Sequence, residues 1–216
     1  MNDQPGRLPF SPPERPLEYW LSPELSRVSP EDTRSRLREI AGARDAYMGA
    51  WAAGIGMGAE LILLGVFLGL QLDTPAPTLG FGIPGFALAV FCNVFYVRIR
   101  DRVPRTGRSV SHRGPGSLRQ ALSFVGFILF AFIAVFAFAA KPAPWQDPSR
   151  LLPLAMTLVF VIGLMVAAIV VPATIMGRAR ESLRRKAMND PRFRDLLEQD
   201  LLTWRDPVGN ASYGLL

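Results

Sequence analysis

The stretch AYMGAWAAGIGMGAELILLGVFLGLQL, residues 46–72, decides the fold class. Its 27 residues include one acidic or basic side chain, Glu60. A helix needs about 20 mostly apolar residues to cross the hydrocarbon of a bilayer. The length and composition of this stretch therefore predict a transmembrane helix.

Three further stretches meet the same criterion, at residues 79–97, 118–140 and 151–176. Each is bounded by charged residues or by Pro and Gly, and half of the 216 residues in the chain are hydrophobic. This composition is typical of a membrane protein. We therefore predict an all-α, polytopic membrane protein whose four transmembrane helices form two antiparallel hairpins in a bundle over residues 46–176.

The distribution of positive charge predicts the orientation of the four spans. Of the 24 Lys and Arg residues, seven precede the first span, seven lie from Arg98 to Arg119, and eight follow the fourth span. The other two loops contain only Lys141 and Arg150. Because positive loops stay in the cytoplasm, both termini and the middle loop are expected there. The expected location is a bacterial-type cytoplasmic (inner) membrane.

The segments outside the spans differ in character. Residues 1–28 are rich in Pro, which favours an extended or disordered cytoplasmic tail. Residues 29–45 are a predicted helical lead-in that starts at Ser29-Pro30-Glu31-Asp32. Residues 177–216 form a predicted cytoplasmic tail with an amphipathic helix. This helix either lies on the membrane surface or docks on a partner, and the acidic residues Asp195, Glu198 and Asp200 favour the partner. The apolar face predicted to dock comprises Phe193, Leu196, Leu197, Leu201 and Trp204.

Glu60 is the candidate functional residue within the membrane. An ionised carboxylate near the middle of a span costs several kcal/mol, about 3 on insertion scales, so such residues are functional candidates by default. One interpretation is a proton- or cation-linked site. The alternative is a neutral carboxyl that fixes helix contacts, with Ser123 or Thr157 as possible hydrogen-bond partners.

Small residues of the first span predict close helix packing. Gly54, Gly58, Gly65 and Gly69 fall on one helix face, which lets another backbone approach closely. Asn93 of the second span is a further candidate for a contact between helices. The facing helix could be internal or could belong to another subunit.

The net charge of +6 does not predict nucleic-acid binding, because nearly all basic residues lie beside apolar runs. A cluster near the end of the second span is expected to contact lipid phosphates or another anionic partner. It comprises Arg98, Arg100, Arg102, Arg105, Arg108 and Arg113.

The sequence offers little material for catalysis or cofactor binding. With Cys92 as the single cysteine, no intrachain disulfide or Cys-rich metal site can form. With His112 as the single histidine, the chain alone cannot supply a His-based zinc site or two haem ligands. We therefore expect no catalytic, cofactor or metal site.

Two functional hypotheses follow. The first is a structural or regulatory accessory subunit of a larger membrane complex, with the bilayer and other membrane subunits as partners. The second is a small oligomeric transporter or channel protomer that uses Glu60 for proton or cation coupling and associates with itself. An enzyme acting on lipid ranks third, because no nucleophile or metal constellation is evident.

Overall fold

The computed structural model describes residues 15–28, 35–104, 117–139, 148–204 and 213–216. No strand occurs in these ranges. The elements are α1 (Leu17–Leu21), α2 (Pro23–Val28), α3 (Arg36–Gln71), α4 (Ala76–Arg100), α5 (Leu118–Ala139), α6 (Pro148–Met165), a π-helical turn (Val166–Val170), α7 (Val171–Met176), α8 (Ala179–Asn189) and α9 (Pro191–Thr203).

Four helical segments are long and apolar enough to cross a membrane. They are α3, α4, α5 and a composite fourth segment that contains the end of α6, the π turn and α7. The prediction of an all-α chain with four helices that could span a membrane is therefore confirmed for the described residues. Each observed segment overlaps its predicted span.

Helix α3 continues the first span well beyond the apolar layer. Its 36 residues give a length of about 54 Å, whereas the hydrocarbon of a bilayer is about 30 Å thick. The helix begins at Arg36 and is capped by Ser35, whose Oγ accepts a hydrogen bond from the Arg38 amide at 3.2 Å. The start predicted at Ser29–Asp32 lies outside the described residues. The first turns of α3 therefore lie outside the apolar part of the helix and pack with the segments beyond the spans.

The glycine face of α3 packs against α4. A Cβ atom at Gly58 would lie 2.6 Å from the Gly85 carbonyl oxygen and 2.8 Å from the Ala89 amide nitrogen. Gly54 faces the side chain of Cys92 in the same way. The missing side chains are what let the two backbones approach so closely.

The fourth span packs against the opposite side of α3. A Cβ at Gly56 would lie 2.7 Å from that of Ala167, and one at Gly49 would lie 3.2 Å from the Cα of Pro172. Pro172 lacks an N–H and its ring obstructs the carbonyl four residues before it, which accounts for the π turn that precedes it. Helix α5 contacts the π turn and α7.

A small helical head stands at the end of the bundle where α3 begins. We use "head" for α1, α8, α9, the first turns of α3 and residues 213–216. The prediction of extended or disordered chain was wrong for residues 17–28, which form α1 and α2, because Leu17 and Leu21 find apolar partners in the head. The buried core comprises Leu17, Leu21, Leu37, Ile40, Ala41, Leu183, Ala187, Phe193, Leu197, Leu201, Tyr213 and Leu216.

Backbone hydrogen bonds join both ends of the described chain in this head. The Leu37 amide donates to the Tyr213 carbonyl at 3.3 Å, and the Leu216 amide donates to the Trp20 carbonyl at 3.1 Å. The Tyr213 hydroxyl donates to the Leu197 carbonyl at 3.1 Å, and burial raises the pKa of this phenol. The phenol therefore remains a hydrogen-bond donor at physiological pH.

Candidate functional site

Arg44 connects the head to the ends of two spans. Its Nε and Nη2 donate to the Arg100 carbonyl at 3.3 and 3.2 Å, at the end of α4. Its Nη1 donates to Asp45 Oδ1 at 3.1 Å and to the Ser182 hydroxyl of α8 at 3.0 Å. A cation near a helix C-terminus also interacts favourably with the helix dipole. We call these four residues, Arg44, Asp45, Arg100 and Ser182, the joint.

The charges of the joint are buried. The side chains of Arg44 and Asp45 are 3% and 1% exposed, and the Arg44 guanidinium lies 5.5 Å from the centre of the Phe193 ring in α9. Asp45 Oδ2 has no hydrogen-bond partner among the described residues. A buried ion pair of this kind depends on both members, since a lone buried charge is costly. The joint therefore couples α3, α4, α8 and α9 through one guanidinium.

A second, more exposed group of ion pairs also joins the head to the end of α4. Lys186 Nζ lies 2.7 Å from Asp101 Oδ1, just after α4, and 2.6 Å from Asp190 Oδ2, the N-cap of α9. Hydrogen bonds from Lys186 hold the pKa of both carboxyl groups below the usual range. The linker after α4 and the start of α9 are thus held by the same ammonium group.

An open groove of about 810 Å³ lies near the joint, between the end of α4 and α9. The residues that line the groove come from the ends of the spans, from the chain that follows α4 and from the exposed side of α9. The lining residues are Tyr47, Ile99, Arg102, Val103, Pro104, Leu196, Gln199, Asp200 and Thr203. Apolar and charged side chains are both present, which is typical of a protein contact surface.

Comparisons with known families, curated proteins and solved structures found no match for this chain. Among the described residues, no group of three or more His, Cys, Asp or Glu side chains could hold a metal ion. The joint, the groove and Glu60 are the candidate functional features of the described residues.

The apolar face predicted to dock on a partner lies mostly inside the head. Phe193, Leu197 and Leu201 are buried in the head core, and Trp204 packs against it. Leu196 is 42% exposed and lines the groove. Of the five predicted docking residues, Leu196 is the one that the chain's own packing leaves open. The predicted amphipathic helix is α9, and α1, α3 and residues 213–216 cover most of its apolar face.

Glu60 lies on the side of α3 that faces the fourth span. Its carboxyl group occupies the place that a side chain at Gly163 would take, with Cδ 2.6 Å from the position of such a Cβ. The possible partners named from the sequence do not reach it: Ser123 is exposed, and the Thr157 hydroxyl donates to the Pro153 carbonyl at 2.8 Å.

The remaining predicted residues are dispersed. Asn93 is exposed on α4, and its contact with another helix stays a prediction. Arg98 and Arg100 are exposed at the end of α4, and Arg102 lines the groove. Arg105, Arg108 and Arg113 lie outside the described residues. Contact of this cluster with lipid phosphates stays a prediction.

Sequence reasoning missed the joint. Arg44 and Asp45 stand at the start of the first apolar run, where charge usually marks the membrane boundary. One signal was available: Arg44 follows Leu37, Ile40 and Ala41 at helical spacing, on the face that the head buries. That spacing places the charge inside the head and not on its surface.

Proposed function

We propose that this protein is a structural or regulatory accessory subunit of a larger membrane complex. The observation that carries the proposal is the position of the head. It is mounted on an unbroken extension of the first span and fixed to the end of the second span by the buried Arg44. A partner bound to the head is thereby mechanically connected to the spans.

The groove is the surface proposed for that partner. Tyr47 and Ile99 come from the ends of two spans, whereas Leu196, Gln199 and Thr203 come from the head. An occupant must therefore approach at the level where the spans leave the membrane. The partner that fits this position is another membrane protein, which inserts the segment adjoining one of its own spans.

The proposed location is the inner membrane of a bacterium, with both termini and the head in the cytoplasm. The motivation is the distribution of Lys and Arg, of which 22 of 24 fall on the proposed cytoplasmic side. The proposed arrangement of the spans is two antiparallel hairpins, α3 with α4 and α5 with the fourth span.

Single cysteines test this orientation in a Cys92→Ala background. Ala76→Cys lies at the first residue of α4, next to the loop that joins the first two spans, and Asn189→Cys lies in the head, both at exposed positions. In intact cells a membrane-impermeant maleimide is expected to label Ala76→Cys only, and permeabilised cells should show both labels. Labelling of Asn189→Cys alone in intact cells would reverse the proposed orientation.

The accessory role is tested by purification from native membranes in mild detergent, followed by mass spectrometry. The affinity tag belongs before Met1, because Leu216 is fully buried in the head and a tag there would disturb it. Foreign membrane subunits in constant stoichiometry are expected. A chain recovered alone, or only with copies of itself, would contradict the proposal.

Two exposed leucines of α9 provide a variant and a control that test whether the partner binds in the groove. Leu196 and Leu202 lie on the same helix and are 42% and 53% exposed, but only Leu196 lines the groove. Leu196→Glu is expected to lower recovery of the partner about tenfold, the loss typical of an interface residue worth more than 1 kcal/mol. Leu202→Glu should leave recovery unchanged. Equal behaviour of the two variants would exclude the groove as the contact surface.

A further inference from the structure

Helix α4 packs on α3, and another side of α4 is exposed along most of its length. Five exposed residues recur at helical spacing on this side, and we call the surface that they form the Asn93 face. They are Leu79, Phe86, Val90, Asn93 and Val97. Four of the five are apolar, which suits contact either with lipid tails or with another membrane helix. Asn93 is the residue that distinguishes these two neighbours.

Asn93 lies inside the apolar part of the second span. It precedes Arg98, the first charged residue after that span, by five residues, so about 7.5 Å of helix separate the two. Side chains of a helix lean toward its N-terminus, which for Asn93 is the direction away from Arg98 and deeper into the membrane. The Asn side chain is also too short to reach the membrane surface as Lys and Arg do. Its amide therefore lies among lipid tails unless another helix covers it.

No residue of the described ranges satisfies the Asn93 amide. Asn93 is exposed, and its side chain forms no hydrogen bond within the part of the chain that the structure describes. A carboxamide carries two N–H donors and a carbonyl acceptor. Lipid tails offer partners for neither, so polar side chains of membrane helices form hydrogen bonds across helix contacts. The exposed amide therefore indicates a helix from another molecule.

A second copy of the chain supplies a matching group for this amide. Two copies inserted in the same orientation hold their α4 helices parallel, and a two-fold axis along the membrane normal places each residue near the axis opposite its own equivalent. Asn93 of one copy then meets Asn93 of the other. Because a carboxamide both donates and accepts, the two amides satisfy each other. A single core Asn specifies register and oligomeric state in coiled coils by the same pairing.

The same side of α4 also permits close approach of a second helix. Gly82 lies three turns before Asn93, and a Cβ there would meet nothing within 4 Å. Gly85, in contrast, is already covered by α3, since a Cβ there would lie 2.6 Å from the Gly58 carbonyl oxygen. A glycine without a neighbour leaves room for a second backbone. The contact can therefore extend from Asn93 to Gly82, over about 17 Å of helix.

We propose that the Asn93 face joins two copies of this protein, with the Asn93 amides of the two copies hydrogen-bonded to each other near the two-fold axis. This contact goes beyond the accessory role and does not rest on it, because none of the residues of the Asn93 face lines the groove. A complex can hold two copies of the chain together with foreign subunits, each bound at a different surface.

Two phenylalanines of α4 test the geometry by disulfide formation in a Cys92→Ala background. Phe86 lies two turns before Asn93 and is 64% exposed, whereas Phe91 is 54% exposed and is rotated by about 140° from Phe86, on the side of Trp51. A disulfide requires Cβ atoms about 3.5–4.5 Å apart. Oxidation of native membranes with copper phenanthroline should therefore link Phe86→Cys into a dimer of the chain, while Phe91→Cys remains monomeric on a non-reducing gel.

Three results of this experiment would overturn the proposal. Phe86→Cys could remain monomeric, which would show that the Asn93 face is not shared by two copies. Both variants could be linked to the same extent, as expected for random collisions. Phe86→Cys could also be linked to a different protein, which would assign the face to a foreign subunit.

Substitution of Asn93 tests the role of the amide itself. Asn93→Leu keeps a side chain of similar size but removes its donors and acceptor. Sedimentation equilibrium of the full chain in mild detergent should show a dissociation constant about tenfold higher than that of the wild type, as expected for the loss of hydrogen bonding between membrane helices. Asn93→Gln, which retains the amide, should dimerise more tightly than Asn93→Leu.

Val94→Leu is the control for this measurement. Val94 is 43% exposed but is rotated by about 100° from Asn93, away from the two-fold axis. Its dissociation constant should equal that of the wild type. A monomeric wild-type chain, or a dissociation constant that Asn93→Leu leaves unchanged, would contradict the pairing of Asn93 across the axis.

Discussion

Gly58→Leu is expected to separate the first two spans and to lower the free energy of unfolding by more than about 3 kcal/mol, the upper range for overfilling a packed site. The obstruction is the backbone of α4: the Gly85 carbonyl oxygen lies 2.6 Å from the position of the new Cβ and the Ala89 amide nitrogen 2.8 Å from it. Backbone atoms cannot rotate away as the end of a flexible side chain can. The helices must move apart to accommodate even the first carbon.

The protein contains a reporter for this separation. Trp51 of α3 stacks on Phe95 of α4, with ring centres 4.8 Å apart and an angle of 20° between the rings. Titration with sodium dodecyl sulfate in mixed micelles, followed by tryptophan fluorescence, gives the free energy of unfolding and reports the loss of this stack. Gly58→Leu should shift the transition to a lower fraction of the denaturing detergent.

Gly80→Leu is the matched control. Gly80 lies in α4, the same helix pair, but a Cβ there would meet nothing within 4 Å. Its transition should coincide with that of the wild type. If Gly58→Leu also unfolded at the wild-type midpoint, the close contact of α3 with α4 would not contribute to stability.

The positions of the spans could be predicted from sequence because the membrane imposes a simple rule of length and polarity. Residues 46–72 satisfy that rule without reference to any other part of the chain. The glycine face was equally visible, since the spacing of Gly54, Gly58, Gly65 and Gly69 defines a surface before its partner is known. Which helix covers that surface requires the tertiary structure.

The head could not be predicted because its parts are far apart in sequence. The spacing of Phe193, Leu197 and Leu201 correctly indicated an amphipathic helix, but the same pattern fits a helix that docks on a partner and one that packs within its own chain. The side chains that cover it come from α1, α3 and residues 213–216. Leu17 and Leu21 lie in a Pro-rich segment whose local preference favours extended chain, so tertiary contacts override that preference.

Arg44→Met is expected to release the head from the spans at a cost of about 3–5 kcal/mol, the range for breaking a buried ion pair on one side. The substitution removes both donors to the Arg100 carbonyl and the donor to Ser182, and it leaves the Asp45 carboxylate buried without its cation. Hydrogen–deuterium exchange in mild detergent should show faster exchange of the amides of α9, by about a hundredfold or more. The central turns of α4 should keep their protection.

Arg185→Met separates this effect from a general loss of positive charge. Arg185 lies in α8 with its side chain 71% exposed, and its partner Glu181 is on the surface of the same helix. Exposed pairs of this type contribute less than about 1 kcal/mol, so exchange in α9 should remain close to that of the wild type. Comparable effects of Arg44→Met and Arg185→Met would mean that burial of the joint is unimportant.

The double variant Arg44→Met with Asp45→Ala identifies the physical origin of the loss. If most of the cost comes from the stranded Asp45 carboxylate, removing that carboxylate should restore at least about half of the lost stability, because uncharged replacements of buried pairs are often tolerated. If the bonds to the Arg100 carbonyl and Ser182 dominate, the double variant should be no more stable than Arg44→Met. The second result would assign Arg44 the role of a cap on α4 that also holds α8, and would make Asp45 a minor member of the joint.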